Sequence, residues 1–457
     1  MGGPPRRNAR PTKGPIRVIG GGLAGCEAAW QIARFGLPVK LYEMRPVQKT
    51  PAHVTDRLAE LVCSNSLKSN DLLHAPGLLK EEMRLLHSLI IQAADKSSVP
   101  AGMSLSVDRQ LFSDAIANAI AETACIELIR QEVTELPEDG INIIATGPLT
   151  SDALTESIRR FSQDPYLYYY DAISPIIEAD SIDRSVVFAA SRYDKGQGDY
   201  LNCPMNRFEY EIFYQSLLAA EVHPLKDFEK AVFFEGCLPI EELARRGPDT
   251  LRFGAMKPVG LTDPETGKRP YAVVQLRQDN VAASHYNMVG FQTSMRFSEQ
   301  ARVFRLIPGL QKAEFVRYGW IHRNTYLNAP RLLLATYQSH SNPSLFFAGQ
   351  LSGVEGYVDS AASGLLAGIN AALLALGLPG RVPPPSTALG ALAYYISHAD
   401  TRHFQPMNIC FGLLHSPETH SIKDKSRKRE RLVSRALEEI RNFAAEISTE
   451  STEQLKH

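Results

Sequence analysis

The sequence predicts an α/β protein in which an α+β domain is inserted into a discontinuous first domain. Three observations support this prediction: a strand, glycine turn, helix and second strand near the N-terminus, a different pattern in the middle of the chain, and a return of the first pattern later. At 457 residues the chain is long enough for two or three domains, each with its own core. Its content of 44% hydrophobic and 22% charged residues is typical of a soluble globular protein.

The first unit spans residues 16–43. Residues 16–19 (IRVI) form a short apolar strand, the run at 20–25 (GGGLAG) is a glycine turn that opens a helix, and residues 38–43 form a second strand that ends in an acid. This order is that of a Rossmann-like βαβ unit, in which a dinucleotide lies across the turn. The alternative is a glycine-rich turn that only packs a helix on a sheet.

Each glycine of the turn has a predicted task. Gly20 permits the tight turn, Gly22 lets the backbone approach a pyrophosphate, and Gly25 lets the helix pack closely on the strand. The helix then points its positive N-terminal end at the phosphates. Glu43 follows Gly25 by 18 residues, where a carboxylate accepts hydrogen bonds from a ribose diol and disfavours a 2′-phosphate. The unit therefore favours FAD or NAD over NADP.

Later segments are predicted to complete this site. Residues 141–147 form a buried strand that closes in a small-Thr-Gly turn, and residues 344–350 form another strand that ends in a Gly-Gln pair. Residues 353–360 then lead into an apolar helix whose N-terminus can face the pyrophosphate and the isoalloxazine of a flavin. The candidate cofactor-binding residues are Gly20, Gly21, Gly22, Leu23, Ala24, Gly25, Glu43, Ala145, Thr146, Gly147, Gly349, Gln350, Gly356 and Tyr357.

The middle of the chain has a different pattern, with tyrosines, prolines and short alternating strands. It predicts a separate α+β module inserted into the first domain. Ahead of it, the amphipathic run at 77–96 predicts one helix. The predicted organisation is a basic, disordered extension at 1–15, a Rossmann-like FAD-binding domain at 16–154 and 326–440, an inserted α+β domain at 155–325, and a C-terminal tail at 441–457.

Positive charge is concentrated in two places although the formal net charge is only −1. Residues 1–15 contain Arg6, Arg7, Arg10 and Lys13 without any acid, and residues 423–435 contain seven lysines and arginines against two acids. Clusters of this kind can neutralise phosphates. A disordered tail and a solvated helix face explain either segment equally well.

One uncharged stretch, residues 361–380, is nearly as long as a membrane span. It contains Gly364, Gly368, Gly377 and Asn370 and follows a turn-rich segment, which favours a buried helix under the nucleotide site. The N-terminus is polar and lacks the apolar region of a secretory signal. We therefore expect a cytoplasmic protein with no membrane association.

Six cysteines occur in the chain, and no two of them are spaced as in a zinc knuckle or a thioredoxin-like pair. No metal site is predicted. Cys63 lies among hydroxyls, an amide and a lysine, and Cys237 lies between a glycine and a leucine-proline pair, where a turn would leave the thiol accessible. The alternative for Cys237 is a turn cysteine at the end of a strand. Cys26 is better explained as a small core residue, and Cys203 as a structural or site-lining residue.

The sequence contains a single glycine fingerprint. A pyridine-nucleotide disulfide reductase would have a second fingerprint for NAD(P)H and a close pair of cysteines. If NAD(P)H is used, we therefore expect it to reach a flavin without a dedicated domain of its own.

Seven motifs in the chain belong together: GGGLAGCEAA at 20–29, CSNS at 63–66, FEGCLPIE at 234–241, LRFGAMKPVG at 251–260, YNMVGFQT at 286–293, HRNT at 322–325 and FAGQLSGVEG at 347–356. Together they closely resemble the motifs of the bacterial folate- and FAD-dependent tRNA (uracil-5-)-methyltransferases. The resemblance runs from about residue 16 to about residue 415. Two positions depart from the family pattern, namely Ala255 in place of proline and Cys410 in place of asparagine.

The resemblance implies 5-methylation of a uridine in the T loop of tRNA, at position 54. The carbon would come from 5,10-methylenetetrahydrofolate, with FAD and NAD(P)H supplying the reducing equivalents. The family pattern places the thiol that adds to uracil C6 on Cys237, and a second cysteine on the flavin side on Cys63. The expected partners are tRNA and folate, with no obligate protein partner, and the target base is expected to leave its stack.

Three alternatives differ in class from this interpretation. The first is a related, longer flavoprotein that modifies wobble uridine together with a GTPase. The second is a flavin oxidoreductase that acts on a small molecule, and the third is a flavin-binding protein without turnover. Bound flavin is compatible with all of them, whereas tRNA that co-purifies and is removed by salt would favour the RNA enzymes.

Overall fold

The computed structural model describes residues 14–50, 52–163, 167–194, 198–223, 238–415 and 422–454. Its strands are β1 (Ile16–Ile19), β2 (Val39–Glu43), β3 (Ser66–Ser69), β4 (Ser98–Val99), β5 (Ser104–Val107), β6 (Ile126–Arg130), β7 (Asn142–Ile144), β8 (Leu167–Ala172), β9 (Ile176–Glu178), β10 (Phe188–Ala189), β11 (Tyr200–Met205), β12 (Ala272–Gln278), β13 (His285–Met288), β14 (Phe315–Arg317), β15 (Ile321–Tyr326) and β16 (Leu345–Phe347).

The helices connect and cover these strands. They are α1 (Leu23–Arg34), α2 (Ala75–Leu85), α3 (Leu89–Lys96), α4 (Arg109–Glu122), α5 (Asp152–Ser162), α6 (Arg207–Leu218), α7 (Ile240–Arg245), α8 (Thr250–Phe253), α9 (Phe297–Phe304), α10 (Ala329–Leu332), α11 (Tyr357–Ala375), α12 (Ala388–His398) and α13 (Lys425–Gln454).

A parallel sheet forms the first layer, with the strand order β16-β7-β1-β2-β6. Its central strands are apolar and buried, as expected for a parallel sheet covered on both faces. The last strand in the sequence, β16, pairs with β7, so the late return of the α/β pattern belongs to the same sheet as the N-terminal unit. The predicted α/β, Rossmann-like fold is therefore confirmed.

Helices α1 and α11 cross at very short distance beside this sheet. A Cβ atom on Gly364 would lie 2.1 Å from the carbonyl oxygen of Ala24, and one on Gly368 would lie 2.6 Å from that of Ala28. The two glycines are four residues apart and so lie on the same helix face. Among the described residues, α11 is the one helix long and apolar enough to cross a membrane, and 89% of its apolar window is buried inside the fold.

The inserted region forms a second, antiparallel sheet with the order β10-β11-β12-β13-β9-β14. It has its own hydrophobic cluster, drawn from residues between Ile177 and Ala313, against which α6 and α9 pack. Residues of the first cluster come from the segments before and after this region. Strands β8 and β15 pair at the two points where the chain passes between the layers.

The C-terminal helix α13 packs against the first layer. Leu432, Phe443 and Ile447 are buried members of the first cluster. The packed part of α13 thus extends into residues 441–454, within the segment described above as a tail. The run 423–435 presents Lys423, Lys425, Arg427, Arg429 and Arg431 to solvent.

Candidate functional site

The glycine turn lies at the carboxyl end of β1 and opens α1. Gly20 has φ +110°, and a Cβ there would lie 2.5 Å from the carbonyl oxygen of Ala145. A Cβ on Gly25 would lie 1.7 Å from the carbonyl oxygen of Gly20. Both positions therefore require glycine for steric reasons. At Gly22, in contrast, a Cβ would meet no atom within 4 Å, so this glycine faces open space.

The N-terminus of α1 is free to bind an anion. Its N-cap residue Gly22 provides no side-chain hydrogen bond, so the first-turn amides keep their donors for a ligand. An open cleft of about 540 Å³ lies directly outside this turn. It is lined by the turn, the end of β2 and the segments around 131 and 150, and the lining residues used below are Gly20, Gly21, Gly22, Glu43, Arg45 and Thr146.

Glu43 is buried at the edge of this cleft. One carboxylate oxygen accepts from the backbone N–H of Gly21 at 3.0 Å, and the other accepts from the backbone N–H and Nε of Arg45, both at 2.9 Å. Burial alone would raise the pKa of Glu43, but the hydrogen bonds and charge of Arg45 outweigh it and lower the pKa. Glu43 is thus an oriented, ionised acceptor. Arg45 was missed by the sequence analysis, although an arginine two residues after the acid was visible.

The other predicted cofactor residues lie around the same turn. Leu23 and Ala24 are buried in the first turn of α1, Thr146 lines the cleft, and Gly147 has φ +68°. The late segment approaches from the other side, since a Cβ on Gly349 would lie 3.1 Å from the Cβ of Ala24. The fold therefore brings the early and late glycine segments together.

The late segment ends at the N-terminus of α11. Gln350 donates from Nε2 to Glu355 at 2.6 Å, and Gly356 has φ +100° and provides no side-chain cap. Tyr357 is the first residue of α11, and its hydroxyl accepts from the backbone N–H of Cys63 at 2.6 Å. Cys63 is half-buried, and its Sγ lies 3.8 Å from the carbonyl oxygen of Ala172. The structure thus places Cys63 beside the N-terminus of α11, where the two layers meet.

A polar cluster that the sequence analysis did not assign surrounds Gly356. The Nζ of Lys68 lies 3.6 Å from a carboxylate oxygen of Asp359, and the other oxygen accepts from the backbone N–H of Ile409 at 2.6 Å. Asp359 is fully buried. Lys68 has φ +63°. The only sign of this cluster in the sequence was the position of Lys68 in the polar run after Cys63.

Lys80 supports this cluster from α2. Its buried ammonium donates to the carbonyl oxygens of Leu67 and Ser69, on either side of Lys68, at 2.8 and 2.7 Å. Burial lowers the pKa of Lys80 to about 7. The left-handed backbone at Lys68 is therefore held by hydrogen bonds from a residue that is distant in the sequence.

Cys237 lies outside the described residues, but the chain on either side of its segment is described. Before the segment, Val222 forms an antiparallel bridge with Met295, and His223 N–H donates to the carbonyl oxygen of Ser294 at 2.8 Å. After it, Ile240 N–H donates to the carbonyl oxygen of Gln292 at 2.7 Å. Both ends of the segment 224–237 are therefore attached to one strip of chain, residues 292–295.

Glu241 fixes the second of these attachments. Its buried carboxylate accepts from the Thr293 hydroxyl at 2.8 Å and from the Ser294 backbone N–H at 2.7 Å. Burial raises the pKa of Glu241, although these hydrogen bonds act against the rise. The acid that follows Cys237 by four residues is thus part of the scaffold. We find no contact that would make it a proton donor to a ligand among the described residues.

Two of the other cysteines lie in the hydrophobic core. Cys26 and Cys203 are fully buried, and burial raises the pKa of each thiol. Both are inert core residues in this fold. Among the described residues, no group of three or more histidine, cysteine, aspartate or glutamate side chains is arranged to hold a metal ion.

Comparison with known proteins places this chain in a family. The profile of the family described as Glucose inhibited division protein A matches residues 15–379. A protein of Brevibacillus brevis named methylenetetrahydrofolate--tRNA-(uracil-5-)-methyltransferase TrmFO is 59% identical over 432 residues, covering 94% of this chain and 98% of the relative. The protein of the same name from Enterococcus faecalis is 58% identical, covering 93% and 97%. The chain belongs to the TrmFO family. The resemblance of the seven motifs is thereby confirmed.

Solved structures agree with this assignment at the level of the fold. Aquifex aeolicus GidA superimposes with a TM-score of 0.70 at 17% identity, covering 97% of this chain and 75% of that one. A second crystal form of the same protein gives a TM-score of 0.67. The TrmFO family and GidA therefore share the arrangement of a parallel sheet with an inserted antiparallel sheet.

Proposed function

We propose that the protein methylates C5 of a uridine in tRNA, taking the carbon from 5,10-methylenetetrahydrofolate and using FAD as its bound cofactor. The observation that supports this most strongly is the 55–59% identity to the curated TrmFO relatives over about 94% of the chain. The target is uridine 54 of the T loop, and NAD(P)H is the source of reducing equivalents. A cytoplasmic location suits a substrate of this kind.

The residues present fit FAD. Gly22 leaves open space outside the first turn of α1, where Gly20 and Gly25 are closed by neighbouring backbone. The uncapped amides of α1 would hold the pyrophosphate, and the fixed carboxylate of Glu43 would accept from the ribose. The uncapped N-terminus of α11 would face the flavin ring. When bound, FAD supplies the reducing equivalents that turn a one-carbon unit into a methyl group.

Two cysteines have separate proposed roles. Uracil C5 is a poor nucleophile until a thiolate adds at C6, and we assign that addition to Cys237. The S–C6 bond makes C5 nucleophilic, and C5 captures the methylene carbon. Loss of the C5 proton breaks the bond between that carbon and its carrier nitrogen and leaves an exocyclic methylene on the uracil ring. A hydride added to this methylene completes the methyl group and expels the thiolate from C6. Cys63, beside Tyr357 at the N-terminus of α11, would assist on the flavin side.

The exposed basic face of α13 is the proposed contact for tRNA phosphates. The exposed cations Lys425, Arg427, Arg429 and Arg431 lie on a helix that is fixed by a buried apolar face, with Lys423 just before it, so they are presented on an ordered support. Neutralising several phosphates would make binding steeply dependent on salt. The target uridine must leave its stack to reach the catalytic cysteines.

The test is a methylation assay with unmodified tRNA, labelled 5,10-methylenetetrahydrofolate, FAD and NADH. We expect label at C5 of uridine 54 with the wild type and none with Cys237→Ala. Cys125→Ala is the matched control, because this half-buried cysteine precedes β6 and is not part of the proposed machinery. Normal methylation by Cys237→Ala would show that the nucleophile is assigned to the wrong residue.

A further inference from the structure

The loop that contains Cys63 is bound by an arginine from the inserted sheet. Arg277, in β12, donates from one terminal nitrogen to the Ser64 hydroxyl at 2.7 Å and from Nε to the side-chain oxygen of Asn65 at 3.0 Å. Arg277 is buried, with 6% of its surface exposed. Both of these acceptors are neutral, so its charge is not cancelled by the groups that it binds here. Burial lowers the pKa of Arg277, and the nearby Tyr200 and Asp279 act against this shift.

A second arginine binds the same loop from the first layer. Arg109, at the start of α4, donates to the carbonyl oxygen of Cys63 at 3.1 Å and also to that of Leu61. Unlike Arg277, it forms an ion pair with Asp279 at 3.0 Å. Arg109 therefore has a carboxylate in direct contact, whereas Arg277 has none within ion-pair distance among the described residues and interacts with Asp279 only at longer range.

Cys63 interacts electrostatically with both arginines and with Arg317 of β14. A negative charge on Cys63 favours the charged form of all three guanidinium groups. The converse holds for the same pairs, because the guanidinium groups favour a thiolate over a neutral thiol. Among the described residues, the titratable groups that face this loop or its arginines are Arg109, Arg277, Asp279, Arg317, Glu60, Tyr357 and Tyr200.

We propose that Arg277, contributed by the inserted sheet, is the positioning residue for Cys63, fixing the loop at 63–65 and supplying the positive charge that favours its thiolate form. This inference rests on the proposed catalytic role of Cys63. It means that the thiol on the flavin side becomes reactive only when the inserted sheet is docked on the first layer. Tyr357 and Arg109 bind the backbone of the loop, and Arg277 supplies the positive charge beside Cys63.

The test measures the rate at which iodoacetamide alkylates Cys63 as a function of pH, in the flavin-bound protein without tRNA or folate. Peptide mass analysis reports Cys63 and the exposed Cys410 in the same sample, so Cys410 is an internal control. In the wild type we expect the midpoint for Cys63 to lie below that for Cys410. Arg277→Gln should raise the Cys63 midpoint by about one pH unit and slow alkylation at pH 7 by about tenfold.

Three further variants separate charge from packing. Arg277→Lys keeps the charge and should keep the midpoint closer to the wild-type value than Arg277→Gln does. Asn65→Ala loosens the loop without removing a charge and should leave the midpoint unchanged. Asp279→Asn removes the carboxylate that pairs with Arg109 and should lower the midpoint. If Arg277→Gln does not fold, Arg277→Lys still tests the proposal, because a large rise of the midpoint despite the retained charge would contradict it.

The proposal is overturned if the Cys63 midpoint is the same in the wild type and in Arg277→Gln. An unreactive Cys63 at every pH, or a midpoint that moves as far in Asn65→Ala as in Arg277→Gln, would overturn it as well. Because alkylation requires neither tRNA nor folate, these outcomes are independent of whether the protein methylates uridine.

Discussion

The parallel sheet and the inserted antiparallel sheet contribute to the site in different ways. The parallel sheet provides backbone: glycines at 20, 22 and 25 and the uncapped N-termini of α1 and α11. The inserted region provides side chains, among them Arg277 of β12 toward Cys63 and Glu241 of α7 beside the attachment of the Cys237 segment. The geometry of a site made of backbone depends on the positions at which a Cβ atom would clash with neighbouring atoms. The geometry of a site made of side chains depends on their charge and hydrogen bonding.

The largest effect should come from the backbone region, at Gly25. In Gly25→Ala the new Cβ would lie 1.7 Å from the carbonyl oxygen of Gly20, so strand and helix must separate. We expect a loss of more than about 3 kcal/mol in the free energy of unfolding, and protein without flavin. Denaturant unfolding and the flavin absorbance of the purified protein measure both quantities.

Gly22→Ala is the matched control for that variant. Its Cβ would meet no protein atom and its φ of −79° suits any residue, so the flavin-free protein should unfold as the wild type does. FAD affinity should nevertheless fall, because the methyl group occupies the space proposed for the pyrophosphate. Unchanged FAD affinity in Gly22→Ala would contradict the proposed position of the cofactor.

The second largest effect tests the buried ion pair of Arg45 with Glu43, beside the backbone site, where Arg45 also pairs with Glu60. Arg45→Met would leave the buried carboxylate of Glu43 without its cation, and we expect the free energy of unfolding to fall by about 3 kcal/mol. The double variant Glu43→Gln/Arg45→Met should recover part of this loss, because the buried charge is removed as well. A double variant as unstable as Arg45→Met would show that packing, not charge, is responsible.

A smaller effect is expected in the inserted region at Glu241. Glu241→Ala leaves the Thr293 hydroxyl and the Ser294 N–H without their acceptor, which should cost about 1–3 kcal/mol of stability. Methylation should slow as well, because this carboxylate holds the chain that follows Cys237. Glu241→Gln keeps an acceptor and should lose less of both. Denaturant unfolding and the single-turnover methylation rate give the two readouts.

The last prediction concerns pH and the scaffold. Glu82 of α2 is fully buried and accepts from the backbone N–H groups of Ala388 and Leu389 at the start of α12, and burial raises its pKa to about 8. A carboxyl with a raised folded-state pKa stabilises the fold at low pH and loses this contribution as pH rises. Stability should therefore decrease between about pH 4.5 and pH 8, and Glu82→Gln should flatten that slope. Thermal unfolding over this range measures it.

The part of the site that is made of backbone could be predicted from the sequence, whereas most of the part that is made of side chains could not. The glycine turn and the acid after β2 are local patterns, and the parallel sheet with its discontinuous connection could be predicted from them. The run at 77–96, predicted as one helix, is instead divided into α2 and α3, because His87 has φ +58° and the Ser88 hydroxyl caps α3. That break depends on one left-handed residue that periodicity does not detect.

The residues that were missed act on other elements of the fold. Lys80 supports Lys68 through backbone carbonyls, and Arg277 reaches a loop more than two hundred residues earlier in the chain. Nothing in the neighbourhood of either residue in the sequence distinguishes it from a surface cation. Their roles depend on burial and on which elements meet, which only the folded chain shows.

The shared attachment of both ends of the segment 224–237 has a consequence for how this lobe can be altered. Because Val222 and Ile240 are both anchored on residues 292–295, the spacing between entry and exit is set by that strip and not by the segment itself. Residues 224–237 can therefore be exchanged as one unit between these two attachments. Exchanging residues 224–237 for the equivalent stretch of a relative should leave the bonds to residues 292–295 and the rest of the antiparallel layer intact.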